Sequence, residues 1–276
     1  MTRETIRIAV LGSGNIGSAI ARGVVNAGIA PAGQVTLTRR KAEHLEEFRR
    51  EGFKASADNK EALRDSNLVV IAVTPQQLNG LLFEIRDALE PTRHTIISVV
   101  SGATIAEIRA QLGHAVPIIR AMPNTAIAIQ ESMTCLCTDD SNVEALPLVK
   151  KIFDALGRTL VIDETLMVPA TALCACGIAF FLRAVRAASQ GGIEIGFHAE
   201  EALLMAAQTA RGAASLLVKE GSHPESEVDK VTTPQGCTIS GLNQMEHHGF
   251  SSALIKGITT SAAKAAVLYS PRSQEK

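Results

Sequence analysis

The sequence has no tryptophan, one tyrosine and eight phenylalanines among 276 residues. So few rings leave little with which to build stacking platforms for single-stranded nucleic acid. An excess of charge of either sign is missing too. The 27 Lys and Arg against 28 Asp and Glu give a formal net charge of −1. That balance points away from nucleic acid and from a polybasic membrane contact. The cysteines are Cys135, Cys137, Cys174, Cys176 and Cys237, an odd number with no C-x-x-C pair. Disulfide frameworks and zinc sites fit that pattern poorly, and no metal site is expected. The thiols read as small buried hydrophobes in a reducing compartment. The opening "MTRETIRIAV" runs into a strand pattern without the charged-then-apolar order of a signal segment. No stretch reads as a membrane span, and the expected location is the cytoplasm. There is no clear internal repeat and no low-complexity tract. No Ser/His/Asp order is legible, and the adjacent His247 and His248 read as surface residues.

What is present is apolar: hydrophobic residues make up 46% and charged residues 20%. The length suits one large domain or two ordinary ones, with a sizeable core. Up to about residue 163, short β-rich runs alternate with amphipathic ones. Strands are expected at 6–12, 34–38, 68–73, 94–100, 116–122, 132–138 and 158–162. Helices are expected at 16–28, with Gly28 near its C-cap, at 41–52, at 75–89 with Pro at its start, and at 142–157. Alternation at this spacing argues for a parallel, doubly wound α/β sheet. Beyond Asp163 no alternating strand is legible. "TLMVPATAL", "IAFFLRAVRAASQGG", "AEEALLMAAQTARGAASLLVKEG" and "FSSALIKGITTSAAKAAVLY" read as Ala- and Leu-rich helices. Helices apolar nearly all round need burial on several sides, which points to a second copy of the chain. The tail "SPRSQEK" (270–276) reads as a frayed end. The expected division is residues 1–163 and 164–276.

The segment "VLGSGNIGSAI" carries G-x-G-x-x-G at Gly12, Gly14 and Gly17, between a strand and a helix. In that context it reads as a dinucleotide loop. Gly12 makes the turn, Gly14 lets the pyrophosphate approach, and Gly17 lets the helix lie close to the strand. The N–H groups of the loop and first helical turn (Ser13, Asn15, Ile16) face the phosphates. An acid at the end of the next strand selects NAD by holding the ribose 2′-OH. Here the sequence is "LTRRK", with Thr38, Arg39, Arg40 and Lys41. Cations in that place favour the 2′-phosphate of NADP. The other reading is a solvated basic start to the following helix.

Strand ends should face the cofactor. "AVTPQQ" offers Ala72, Val73, Thr74 and Pro75, and "IRAMPNTA" offers Met122, Pro123 and Asn124. Asn124 presents both a donor and an acceptor, or else caps the turn after Pro123. In the helical half, Thr233, Gly236, Cys237 and Thr238 cluster just before a helix in "VTTPQGCTISGLNQME". That is a carboxylate cradle or an ordinary helix start with a Pro turn.

Taken together, "GSGNIGSAI", "DNKEAL", "VVIAVTPQQL", "IIRAMPNT", "CACGIAFFL" and "VTTPQGCTISGLNQME" resemble the pyrroline-5-carboxylate reductase family nearly end to end. The last segment is similar to the family's S-P-G-G-x-T signature. The resemblance implies a Rossmann-like NADP-binding domain followed by an all-α dimerisation domain. It implies NADPH-dependent reduction of a cyclic imine carboxylate, 1-pyrroline-5-carboxylate, to proline, with NADH as a possible substitute. Backbone N–H groups of Gly236, Cys237 and Thr238 would hold the carboxylate. The Thr238 hydroxyl would bond near the imine nitrogen, and Asn59 would lie beside the adenosine ribose and its phosphate. A homodimer or higher homo-oligomer is implied, with no nucleic acid and no membrane. The chain departs from the family pattern at Thr74 (usually Lys), at Ala175-Cys176-Gly177-Ile178-Ala179-Phe180, at Gln235 (usually Gly) and at Ala126 (usually Pro). Other readings are a reductase of a related imine, a β-hydroxyacid dehydrogenase-like enzyme and a non-catalytic NADP-binding protein. The hydroxyacid enzyme needs a lysine base that "IAFFLRAVRAASQGG" lacks.

Overall fold

The structure is a computed structural model, and it describes residues 6–41, 45–113 and 115–269. The frayed tail expected at 270–276 and the first residues of the opening segment lie outside the described residues. The chain divides into two compact units, one running to Cys176 and taking up the chain again from Ser261, the other spanning Gly177–Thr260.

The first unit holds one eight-stranded sheet in the order β3-β2-β1-β4-β5-β6-β7-β8. Its strands are β1 (Ile8–Leu11), β2 (Val35–Thr38), β3 (Lys54–Ser56), β4 (Leu68–Ile71), β5 (Thr95–Ser98), β6 (Ile118–Met122), β7 (Ser132–Cys137) and β8 (Gly157–Val161). The helices of this unit are α1 (Asn15–Asn26), α2 (Leu45–Arg50), α3 (Asn59–Arg64), α4 (Pro75–Ile85), α5 (Ile105–Leu112), α6 (Leu146–Asp154) and α7 (Met167–Ala170). β1 and β4 are buried at every residue, as expected for strands covered on both faces. Ile8 and Val10 point to a core built with α1, α2 and α6. Ala9 and Leu11 point to a second core on the other face, built with α3, α4 and α5. The order reverses between β1 and β4, which opens a crevice above their carboxyl ends.

Two features refine the expected parallel sheet. β7 runs antiparallel to β6, and β8 runs parallel to β7. The link between β6 and β7 holds only a single-turn helix at Thr125–Ile129. A parallel crossover needs about a dozen residues or more, so the chain turns back instead. The sequence pattern also passed over β3, α3 and α5. α5 carries a legible start signal, since Thr104 and Glu107 form a reciprocal capping box. The helix expected at 41–52 is observed only at Leu45–Arg50, with 42–44 outside the described residues.

The helix expected at "TLMVPATAL" is irregular. One tight turn at Glu164–Leu166 leads into α7, and a wider π-turn spans Thr171–Cys176. The Thr171 hydroxyl donates to the Met167 carbonyl at 2.9 Å and so competes with the backbone ladder. The helical run Glu164–Glu194 is long and apolar enough to cross a membrane by length and composition. This corrects the expectation that no stretch reads as a span, because 165–182 carries no charge. Its first part nevertheless sits in the protein core, with Met167 and Ala172 fully buried.

The second unit is helical: α8 (Gly177–Glu194), α9 (Ala199–Glu220), α10 (Pro224–Val231), α11 (Cys237–His247) and most of α12 (Phe250–Ala265). Among its described residues only Gly177, Ser189 and Ala202 are buried. Phe181, Leu182, Ile195, Leu204 and Ile255 are each more than 60% exposed. An apolar surface of that extent marks a contact face.

Candidate functional site

The carboxyl ends of β1, β2 and β4 surround a cleft of about 680 Å³. Gly12, Ser13, Gly14, Thr38, Arg39, Arg40, Asn59, Ala72, Val73 and Thr74 line it, as the sequence placed them. Lys41, Ala57, Gln76, Gln77, Gly80, Leu81 and Glu84 line it as well. Asn15 and Ile16 lie in the first turn of α1, and Pro75 is the first residue of α4. Met122 and Pro123 are buried and are not among the lining residues.

Two of the three loop glycines are required by the backbone, each for a different reason. Gly12 sits at φ +97°, and a Cβ there would meet the Ala72 carbonyl oxygen at 2.8 Å. A Cβ on Gly17 would collide with the Gly12 carbonyl. Gly14 has nothing within 4 Å of where its Cβ would stand, so the space beside it is open to a ligand. Gly14 is also the N-cap of α1 and brings no side-chain cap. The first N–H groups of α1 therefore have no intrahelical partner. A glycine cradle, bare amides and adjacent cations fit a dinucleotide pyrophosphate with an adenosine 2′-phosphate. One refinement concerns Ser13. Its N–H and its hydroxyl both donate to the Thr38 carbonyl, at 2.9 and 3.0 Å, so it ties the loop to β2.

A hydrogen-bond chain runs along the adenosine end of the cleft. The Gly12 N–H donates to the Thr38 hydroxyl at 3.4 Å, and that hydroxyl donates to Asn59 Oδ1 at 2.6 Å. Asn59 Nδ2 donates to both carboxylate oxygens of Glu84 at 3.1 Å. Asn59 opens α3, whose N-cap Asp58 accepts from the backbone of Lys60 and Glu61.

Asn124 is buried, and its amide is engaged within the protein. Oδ1 accepts from the Ala126 N–H at 3.0 Å, and Nδ2 donates to the Cys174 carbonyl at 3.3 Å. It ties the end of β6 to the π-turn. Cys174 touches Cys135 there. That contact lowers the Cys174 thiol, while the same contact and burial raise Cys135. All five cysteines are free, and Cys237 is exposed, against the expectation that the thiols are buried. Opening α11 right after a turn places Cys237 outside any core.

In the second unit, Thr233–Gly236 forms a turn closed by the Gly236 N–H on the Thr233 carbonyl at 2.9 Å. Pro234 holds the second position, and Gln235 takes the third with φ +60°, where glycine is the ordinary occupant. A Cβ on Gly236 would stand 2.5 Å from Thr233 Oγ1, so this position requires glycine. Gly236 caps α11 without a side-chain hydrogen bond. Of the three amides expected to hold a carboxylate, that of Gly236 is taken by its own turn. Those of Cys237 and Thr238, in the first turn of the helix, have no intrahelical partner. Among the described residues no His, Cys, Asp and Glu cluster could hold a metal ion.

Comparison with known proteins agrees with these two halves. Residues 164–268 match the family model described as pyrroline-5-carboxylate reductase dimerisation, and residues 7–102 match one described as NADP oxidoreductase, coenzyme F420-dependent. Pyrroline-5-carboxylate reductase 1 of Dictyostelium discoideum is 53% identical over 281 residues, covering 98% of this chain and 51% of that protein. Pyrroline-5-carboxylate reductase 2 of the same organism is 50% identical over 273 residues, covering 93% of this chain and 91% of that protein. The chain thus spans about half the length of one relative and nine-tenths of the other. The solved pyrroline-5-carboxylate reductase of Coxiella burnetii superposes with a TM-score of 0.86 at 27% identity, over 97% of this chain and all of that one. With a dinucleotide cleft in one unit, an uncapped helix start in the other and half its residues shared with a relative it matches nearly end to end, the chain belongs to the pyrroline-5-carboxylate reductase family.

Proposed function

We propose that this chain reduces 1-pyrroline-5-carboxylate to L-proline with NADPH. The observation that carries the reading is the presence in one chain of a glycine cradle lined by Arg39, Arg40 and Lys41 and, in the other unit, of the uncapped N-terminus of α11 behind Gly236. The first suits an NADP pyrophosphate and 2′-phosphate, and the second suits a small carboxylate. When bound, the reduced nicotinamide supplies hydride to the carbon of the C=N bond.

The protein's part is to place and polarise. The amides of Asn15 and Ile16 hold the pyrophosphate, with Gly14 leaving it room. Thr38 and Asn59 fix the loop on which the adenosine ribose rests. Ala72, Val73, Thr74 and Pro75 form the strand end beside the nicotinamide, and Met122 and Pro123 support that end from the buried side. Cys237 and Thr238 hold the substrate carboxylate through backbone N–H groups, beside the Thr233 hydroxyl. The Thr238 hydroxyl bonds near the imine nitrogen and orients the ring. Asn124 positions the turn between β6 and the π-turn through its two internal hydrogen bonds. Solvent supplies the imine proton, so rate comes from approximation and from donors aimed at developing charge.

A second copy of the chain covers the exposed apolar faces of α8 to α12 and completes the assembly. This also accounts for the apolar run 164–194 without a membrane. Two functional domains, 1–163 and 164–276, are the division we assign to these roles. Five unpaired thiols suit the reducing cytoplasm. The test is NADPH oxidation followed at 340 nm with 1-pyrroline-5-carboxylate. No turnover above background at millimolar substrate, the upper end of usual KM values, rejects the assignment.

A further inference from the structure

In the dinucleotide fold an acid at the end of the second strand holds the adenosine ribose 2′-OH. β2 ends in Thr38 and is followed by three cations, so that acid is missing from its place in the chain. A carboxylate nevertheless lines the same end of the cleft. It is Glu84, which comes from α4 and sits beside Asn59 and Thr38. Both its oxygens accept from Asn59 Nδ2 at 3.1 Å, and Asn59 Oδ1 accepts from Thr38 at 2.6 Å. A carboxylate can only accept, so Glu84 fixes which way the Asn59 amide faces. Glu84 also stands in the last turn of α4, where the helix dipole disfavours a negative charge. Neither the sheet nor either core uses it. The hydrogen bonds it accepts come from Asn59, beside it in the cleft lining.

We propose that Glu84 is the residue that sets the cofactor preference of this chain. It supplies from α4 the ribose-facing carboxylate that β2 lacks. With Arg39, Arg40 and Lys41 in the same lining, the cleft accepts both a 2′-phosphate and a free 2′,3′-diol. The carboxylate moderates the first through like charge and supports the second as an acceptor. The proposal rests on the dinucleotide reading of the cleft.

The test is calorimetric binding of NADP⁺ and NAD⁺ to the full-length protein, wild type and Glu84→Gln, without substrate. Glutamine keeps an acceptor for Asn59 and removes the charge. NADP⁺ should bind about fivefold tighter to Glu84→Gln, the size of one exposed like-charge repulsion, while NAD⁺ binds equally or more weakly. The gain should shrink at high salt. Glu84→Ala, which also frees the Asn59 amide, should weaken NAD⁺ further. An NADP⁺ to NAD⁺ affinity ratio that moves less than twofold in both variants overturns the proposal and leaves the dinucleotide reading standing. Failure of the wild-type protein to bind either nucleotide overturns both.

Discussion

Arg120 is 2% exposed at the middle of β6, and its charge is answered by one carboxylate. Its Nη1 donates to Glu164 Oε1 at 3.0 Å, and the same oxygen accepts from the Ile105 N–H at 2.7 Å. Arg120 Nε and Nη2 are buried with no hydrogen-bond partner among the described residues. Glu164 is 31% exposed, so water reaches one end of the pair. Removing the carboxylate strands a buried guanidinium, whereas removing the arginine leaves a carboxylate that is hydrated and still bonded to Ile105. The two single substitutions should therefore be unequal. Breaking a buried pair costs about 3–5 kcal/mol, and the partial exposure of Glu164 places Glu164→Ala near the lower end, about 3 kcal/mol. Arg120→Met should cost about 1 kcal/mol, the loss of one charge-assisted bond set against relief of two unsatisfied donors. In Arg120→Met/Glu164→Leu the apolar pair should recover most of the stability lost in Glu164→Ala. The assay is urea unfolding followed by circular dichroism at pH 7, with protomer concentration held constant because association adds to stability. An Arg120→Met protein as unstable as Glu164→Ala, or a double variant no better than Glu164→Ala, would refute this account of the pair.

Two further outcomes are expected. His94 is buried, accepts from the Glu90 N–H through Nδ1 at 2.8 Å and meets the Leu63 carbonyl through Nε2 at 3.2 Å, an arrangement that needs the neutral ring. Burial lowers its pKa below the usual 6.5. Below about pH 6.5 the unfolded chain takes up a proton that the folded chain refuses, so this contribution to stability is present above that pH and fades as pH falls. Proton NMR should place the midpoint of the His94 ring below 6.5; a midpoint at or above 6.5 would sink the argument. Gln235 occupies a left-handed turn position at φ +60°. Gln235→Gly should raise stability by up to about 1 kcal/mol in thermal melts, the left-handed strain removed less the added freedom of the unfolded chain. A loss of stability would mean that the Gln235 side chain makes a compensating contact.

Features that depend on local backbone demands were legible in the sequence. Gly12 and Gly17 could be read because the positions allow no Cβ, and the start of α4 because Thr74 and Pro75 are a cap and a first-turn proline. The turn before α11 was legible for the same reason. What was missed depends on spatial neighbours or on competition between similar local signals. The direction of β7 follows from the length of a link, which a strand-by-strand reading does not weigh. The Thr104–Glu107 box was visible but marks a helix of only eight residues, short enough to pass for a loop. The expectation that Gly236 donates to substrate overlooked the turn that its own N–H closes.

Cofactor preference shows the same division more sharply. The rule that reads it from the end of β2 assigns a residue type to a place in the chain. The cleft responds only to charge at a point in space, and α4 lines that cleft together with the loop after β2. Reading "LTRRK" alone counts three positive charges and no negative one. The lining of the cleft holds the same three cations and Glu84, which grips Asn59. The two views predict different behaviour for one substitution. If β2 alone decides, Glu84→Gln leaves the balance between NADP⁺ and NAD⁺ where it was. If the field of the assembled cleft decides, removing a charge 46 residues further along the chain than Thr38 shifts that balance as much as a change within β2's own loop would.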